Sequence, residues 1–180
     1  IDPEKAENML VDLSSLFRVV LKDQNAQVDL SAEIELGRRY INIEQERLGD
    51  RLKIEWQLPA EIPNIQVPQL LLQPLLENAI YHGVQPLING GKVVINLSPS
   101  EDGSNKEKRW LLTIENDKAE QVVRKGGHQI SLPNIAMRLD AVFDGAATLH
   151  CEETANQYRV IVGLPEYNSQ AKHDFNNKTA

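Results

Sequence analysis

The stretch "LLLQPLLENAIYHGV", residues 70–84, sets a carboxylate (Glu77), a carboxamide (Asn78) and an imidazole (His82) inside an apolar run of helix-forming residues. Glu77 and Tyr81 are four apart, as are Asn78 and His82, so each pair shares a helix face. The Asn78 carbonyl oxygen is a neutral ligand suited to a hard cation such as Mg²⁺ that already carries phosphate oxygens. His82 precedes Gly83 and equally suits a helix C-terminus, where positive charge is stabilised. Spacing alone leaves both readings open, a ligand site or a kinked core helix. A second candidate is "IENDKAE", residues 114–120, where a strand ends in polar side chains. A side chain at 115–117 there either meets a ligand at the sheet edge or belongs to an acidic turn. The third is "GGHQISLPNI", residues 126–135, a two-glycine loop entering a helix, with Arg124 and Lys125 just upstream. Unpaired N–H groups and the dipole make such a helix start attractive to anions, although a Gly–Gly pair alone does not establish a site. The histidines stand at 82, 128, 150 and 173, none at metal-ligand spacing. No Ser/His/Asp or Cys/His set is legible.

The elements that must position these groups follow from periodicity. In "DPEKAENMLVDLSSLFRVVL", Asp2 caps, Pro3 suits the first helical position, and Ala6, Met9, Leu10, Leu13, Leu16, Phe17, Val20 and Leu21 form one stripe. A second helix runs through "SAEIELGRRYINIEQERLGD", with Ile34, Ile41 and Leu48 seven apart and Gly49 as its stop. The pair predicts an antiparallel hairpin, packed either on its own domain or in a dimerisation bundle. "RLKIEWQL" alternates as a half-buried strand, and "PAEIPNIQVP" reads as an irregular connector. Pro68 suits the first turn of the next helix, whereas Pro74 kinks it or marks a fresh start. "KVVINLSP" and "KRWLLTIEN" read as hairpin strands, and "LPNIAMRLDAVFDG" as a helix stopped by glycine. "AATLHCEE" and "QYRVIVGLP" are the closing strands. The polar segment 168–180 reads as a disordered tail. This order predicts an α+β fold, a two-layer sandwich with helices on one face of a largely antiparallel sheet.

Composition narrows the function classes. The chain has 180 residues, 41% hydrophobic and 25% charged, with a net charge of −7. An acidic domain gains nothing from counterion release, so direct nucleic-acid binding is not expected. The single cysteine, Cys151, rules out an internal disulfide and a thiolate-rich metal site. No apolar run approaches the roughly 18 residues of a membrane span. A chain beginning without methionine at a helix edge reads as part of a longer protein.

The three candidate sites, in this order, resemble one family. "LLLQPLLENAIYHGV" resembles the N box of the LytS-type sensor histidine kinases, close to "QPLVENAIKHG". "RRYINIEQERLGDRLKIEWQLP" resembles the stretch between that family's dimerisation helices and its ATPase domain. "LPNIAMRLDAVFDGAATLHCEE" resembles its "xxNVRERL…YG…L" segment, and the likeness looks greatest to the AlgZ (FimS) branch. The resemblance covers residues 5–165. It implies an ATP-binding domain of the Bergerat (GHKL) fold over residues 50–167, preceded by the end of a helical dimerisation segment over 1–49. ATP and Mg²⁺ are the implied ligands. By the resemblance Asn78 coordinates Mg²⁺ between the phosphates, with Glu77 and His82 beside the triphosphate as catalytic positions. Asn116 matches the residue that hydrogen-bonds the adenine amino group. Gly127 matches the first glycine of the "GxGxGL" box, Leu132 and Asn134 its leucine and asparagine, and Lys125 lies beside them.

The implied activity is transfer of the γ-phosphoryl group of ATP to a histidine and then to a response regulator with a LytTR-type DNA-binding domain. The working form would be a homodimer held at the bacterial inner membrane by an upstream segment, with this part in the cytoplasm. Two boxes depart from the pattern: "DNGxG" reads "NDKAE" here, and "GxGxGL" reads "GHQISL". A non-glycine residue forced into a left-handed backbone costs about 1–2 kcal/mol. Either the backbone differs at these boxes or nucleotide binding is weak, the latter fitting a degenerate module that serves as a dimerising or regulator-binding scaffold. The family's acceptor motif, resembling "PHFLFN", surrounds none of the four histidines, so the acceptor is expected upstream of residue 1.

Overall fold

Apolar and polar residues alternate through the strand segments, and that period of two sorts each strand into a buried and an open side. The computed structural model describes residues 26–100, 108–120 and 131–166. Its elements are β1 (Gln27–Asp29), α1 (Leu30–Leu48), β2 (Leu52–Gln57), β3 (Gln66–Pro68), α2 (Leu72–Asn78), β4 (Gly91–Pro99), β5 (Arg109–Asp117), α3 (Ser131–Phe143), β6 (Thr148–Glu153) and β7 (Gln157–Pro165). Five strands form one sheet in the order β2-β4-β5-β7-β6. β2 and β4 pair in parallel across the α2 crossover, and every other neighbour is antiparallel. The expected α+β two-layer architecture is thus present.

Val93, Ile95 and Leu97 of β4, Leu112 and Ile114 of β5, and Val160 and Val162 of β7 face the helices. They pack with Leu30, Ile34 and Ile41 of α1, Leu72, Leu75 and Leu76 of α2, and Ile135, Leu139 and Phe143 of α3 in one core. Each such side chain removed from water contributes about 1.5–3 kcal/mol. The α1 stripe is buried in this core through Leu30, Ile34 and Ile41, with Leu48 packed against it. Gly37 makes the α1–α2 crossing close, because a Cβ there would lie 2.9 Å from Leu72 Cδ2 and 3.0 Å from Leu76 Cδ1. Gly49 ends α1 at φ 58° and ψ −140°, a conformation open to glycine, at the stop that the sequence reading placed there. The first expected helix and the 168–180 tail lie outside the described residues.

Two details differ from the sequence reading. The connector after β2 is not wholly irregular, since β3 pairs antiparallel with β1 in a small second sheet. Pro68 closes β3 instead of opening a helix. α2 begins at Leu72, so Pro74 occupies its first turn, where a missing N–H is harmless.

Candidate functional site

α2 carries the polar trio, and its geometry changes immediately after Asn78. Residues Ala79–Val84 form a π turn, closed by Gln85 N–H donating to Ile80 O at 2.8 Å. Such widened turns recur at functional sites. The chain can afford it here because the loop beyond is pinned. Arg51, at the α1–β2 junction, donates through Nη2 to Gln85 O at 3.0 Å and Leu87 O at 2.8 Å. Gly90, at φ 73°, lies against the Arg51 backbone, whose carbonyl carbon would be 2.6 Å from an added Cβ. No sequence period announces a π turn.

Gly83 brings that turn onto the end of β5. A Cβ at this position would lie 2.7 Å from Asn116 Cγ and 2.8 Å from the Asp117 carbonyl oxygen. Period two separates the three polar residues that end β5. Glu115 points to the open face of the sheet and pairs with Arg159, whose guanidinium also reaches Glu152 at 3.2 Å. Asp117 accepts the Lys92 N–H at 2.8 Å and ties the start of β4 to the end of β5. Asn116 alone turns inward, 3% exposed. Its Nδ2 donates to Asp117 O at 2.9 Å, which leaves Oδ1 as the acceptor of the carboxamide.

The other predicted positions fall as follows. Asn78 is half-buried, and Glu77 and His82 are exposed at the same end of α2. Burial pushes the phenol of Tyr40 on α1 well above its usual range, and the charges of Glu44 and Glu77 push it further. Glu77 therefore lies towards α1. His82 packs edge-on to Tyr81, with ring centroids 4.9 Å apart. Leu132 packs against the core and Asn134 is exposed in the first turn of α3. Lys125 and Gly127 lie outside the described residues. Among the described residues no group of three or more His, Cys, Asp or Glu could hold a metal, so a cation here would depend on ligand oxygens.

The altered adenine-side box has a backbone to match. Lys118 donates its N–H to Asn156 O at 2.9 Å and its ammonium to Glu153 at 2.6 Å. Among the described residues the non-glycine positions with positive φ are Leu70 and Asp144, so Lys118 and Glu120 carry no left-handed strain. Gly83 and Arg51 had no role in the sequence reading. The only signal for Gly83 was its place directly after His82, which also fits an ordinary helix stop.

Comparison with known proteins agrees with this geometry. The family model described as Histidine kinase matches residues 1–52. The chain is 39% identical over 166 residues to the sensor histidine kinase BtsS of Escherichia coli (strain K12), which covers 91% of this chain and 28% of that protein. It is 30% identical over 177 residues to the sensor protein LytS of Oceanobacillus iheyensis, covering 93% and 30%. The chain thus spans less than a third of the length of either relative. Among solved structures, the catalytic domain of the histidine kinase ThkA superposes with a TM-score of 0.54 at 12% identity, covering 78% of this chain and 95% of that one. Among the described residues no helix is long and apolar enough to cross a membrane. The chain's homologues are LytS and related sensor histidine kinases, and its fold is the GHKL fold of the histidine kinase catalytic module.

Proposed function

We propose that this chain binds ATP with Mg²⁺ in the angle between α2, the end of β5 and the start of α3. There it presents the γ-phosphoryl group to a histidine outside these residues, from which the group passes to a response regulator. Histidine kinase catalytic domains bind ATP, typically with Mg²⁺, and sensor histidine kinases generally dimerise and work with response regulators. The observation that carries the reading here is Asn116. A carboxamide 3% exposed at a strand end, with its Nδ2 already bonded, offers Oδ1 to an amino group such as that of adenine. Gly83 lets the Asn116 carboxamide lie directly against the π turn, where no Cβ would fit. Asn78 lies five residues earlier, about 7 Å back along the helix axis, where its carbonyl oxygen would meet a phosphate-bound Mg²⁺. The Mg²⁺ ion supplies charge neutralisation for in-line phosphoryl transfer. Glu77 and His82 flank the triphosphate, Leu132 and Asn134 at the start of α3 stand on its other side, and Lys125 and Gly127 belong to the nucleotide-binding set by the resemblance alone. By the same reading the longer protein is a homodimer in the bacterial inner membrane with this part cytoplasmic, and its regulator carries a LytTR-type domain.

Titration with ATP and Mg²⁺ tests the assignment. Binding is expected at or below the millimolar concentration of cellular ATP, about −4 kcal/mol, and Asn78→Ala is expected to weaken it at least tenfold. Silence at several millimolar would sink the kinase reading of this domain. Binding indifferent to Asn78→Ala would sink the Mg²⁺ assignment. The scaffold reading has its own support in Lys118, a hairpin anchor at a position the family gives to glycine. It predicts silence in this titration together with dimerisation of the longer protein.

A further inference from the structure

Helix α2 has no cap of its own. Leu71 stands at its N-cap and makes no side-chain cap bond, so the N–H groups of its first turn need acceptors from elsewhere. Glu33 of α1 supplies them. One carboxylate oxygen accepts the Leu70 N–H at 2.7 Å and the other the Leu72 N–H at 3.0 Å, and the residue is 1% exposed. From α3, Arg138 donates to the Gln69 carbonyl oxygen, and its charge acts on the Glu33 carboxyl. Between these two holds, Leu70 sits at φ 58°. That conformation is unfavourable for a residue with a Cβ and persists only where neighbours over-determine it. A single turn therefore starts α2, is capped from α1 and is tied to α3.

We propose that Glu33 and Arg138 are positioning residues that grip the Gln69–Leu72 turn from α1 and α3 and lock the helix carrying Asn78 to the helix that begins at Ser131. The lock stands on hydrogen bonding alone. Its effect on ligand binding rests on the nucleotide reading given above.

Amide hydrogen exchange on the ligand-free chain tests the lock. Glu33→Gln keeps the volume and one acceptor oxygen. A cap acting only locally would speed exchange at residues 70–76 and leave α3 untouched. The lock instead predicts acceleration in α3 over 131–138 as well, by about tenfold, equivalent to about 1.4 kcal/mol. Arg138→Met should do the reverse and open the Leu70 and Leu72 amides, with Arg138→Lys restoring protection. Wild-type exchange throughout α3 in Glu33→Gln overturns the proposal.

A second readout concerns ligands. Arg138→Met is expected to weaken MgATP about 10- to 100-fold, the scale of misplacing a group by about 1 Å. Adenosine, held through β5, should bind within about twofold of wild type on that scale. Equal losses for both ligands refute a positioning role. A wild-type chain that binds neither ligand sinks the nucleotide reading, and the exchange result still decides the lock.

Discussion

Gly83→Ala puts the most direct demand on the site. The new Cβ would stand 2.7 Å from Asn116 Cγ and 2.8 Å from Asp117 O. Asn116 Nδ2 is the atom nearest the new Cβ, and real contacts of that kind are rarely closer than about 3.4 Å, so the carboxamide must leave its place and the turn and the Asp117 carbonyl must part by about 0.6 Å. β5 resists because it is laddered to β4 on one side and β7 on the other. The π turn resists because Ile80 and Val84 are buried in the core and the following loop is held by Arg51. Forcing extra volume into such a place costs about 1–3 kcal/mol, and each kcal/mol lowers Tm by about 2–8 °C for domains of this size range. The softest response is rotation of the Asn116 side chain, which breaks its bond to Asp117 O and removes Oδ1 from the adenine position. A lost hydrogen bond of about 0.5–1.5 kcal/mol gives up to about a tenfold loss of nucleotide affinity. Calorimetric titration and thermal melting of the same sample read both effects. Gly49→Ala is the control, since Gly49 has φ 58° and no atom within 4 Å of an added Cβ. It should cost about 1–2 kcal/mol of strain and leave affinity unchanged. A Gly83→Ala chain that melts and binds like wild type would refute the close approach.

Two further outcomes are expected. Burial pushes the Glu33 carboxyl above the usual carboxylate range, against the pull of the Leu72 and Leu70 N–H groups. Its proton is then held more tightly folded than unfolded, so this contribution to stability is largest below pH 4.5 and declines as pH rises through the folded value. Denaturant melts across pH should show that decline in wild type and its absence in Glu33→Gln; an identical slope in both contradicts the account. Lys118→Gly restores the family's glycine where the backbone has no left-handed turn, so it should lower stability by about 0.5–1 kcal/mol and not improve ATP binding. A gain in affinity in the ATP titration would show that the lysine, not the backbone, limits the box.

What could be read in the chain was whatever a single element decides for itself. The period of two in "RLKIEWQL" and "KRWLLTIEN" sorts side chains between two faces, so the polar end of β5 at 115–117 was legible, whereas Asn116 was set apart from Glu115 and Asp117 only by the family resemblance and then by its burial. The stripe Ile34, Ile41 and Leu48 with Gly49 behind it specifies a helix and its end, because apolar spacing and a glycine stop are both local. Asn78 could be placed on its helix for the same reason. Lys125 and Gly127 fall outside the described residues, and the structure adds nothing to them.

The rest depended on partners far along the chain. β1 and β3 pair across nearly forty positions, over segments of three residues each that carry no usable period. The cap of α2 comes from Glu33, and no rule about residues 68–72 could have named it. The π turn follows from Arg51 and Gly90 holding the loop beyond it, and the role of Gly83 follows from the arrival of β5 at that turn. Sequence determined which residues could bind or be buried, because side-chain chemistry and local periodicity are properties of short stretches. Tertiary structure decided which of them meet, because hydrogen-bond satisfaction and close packing are settled only between elements brought together by the fold.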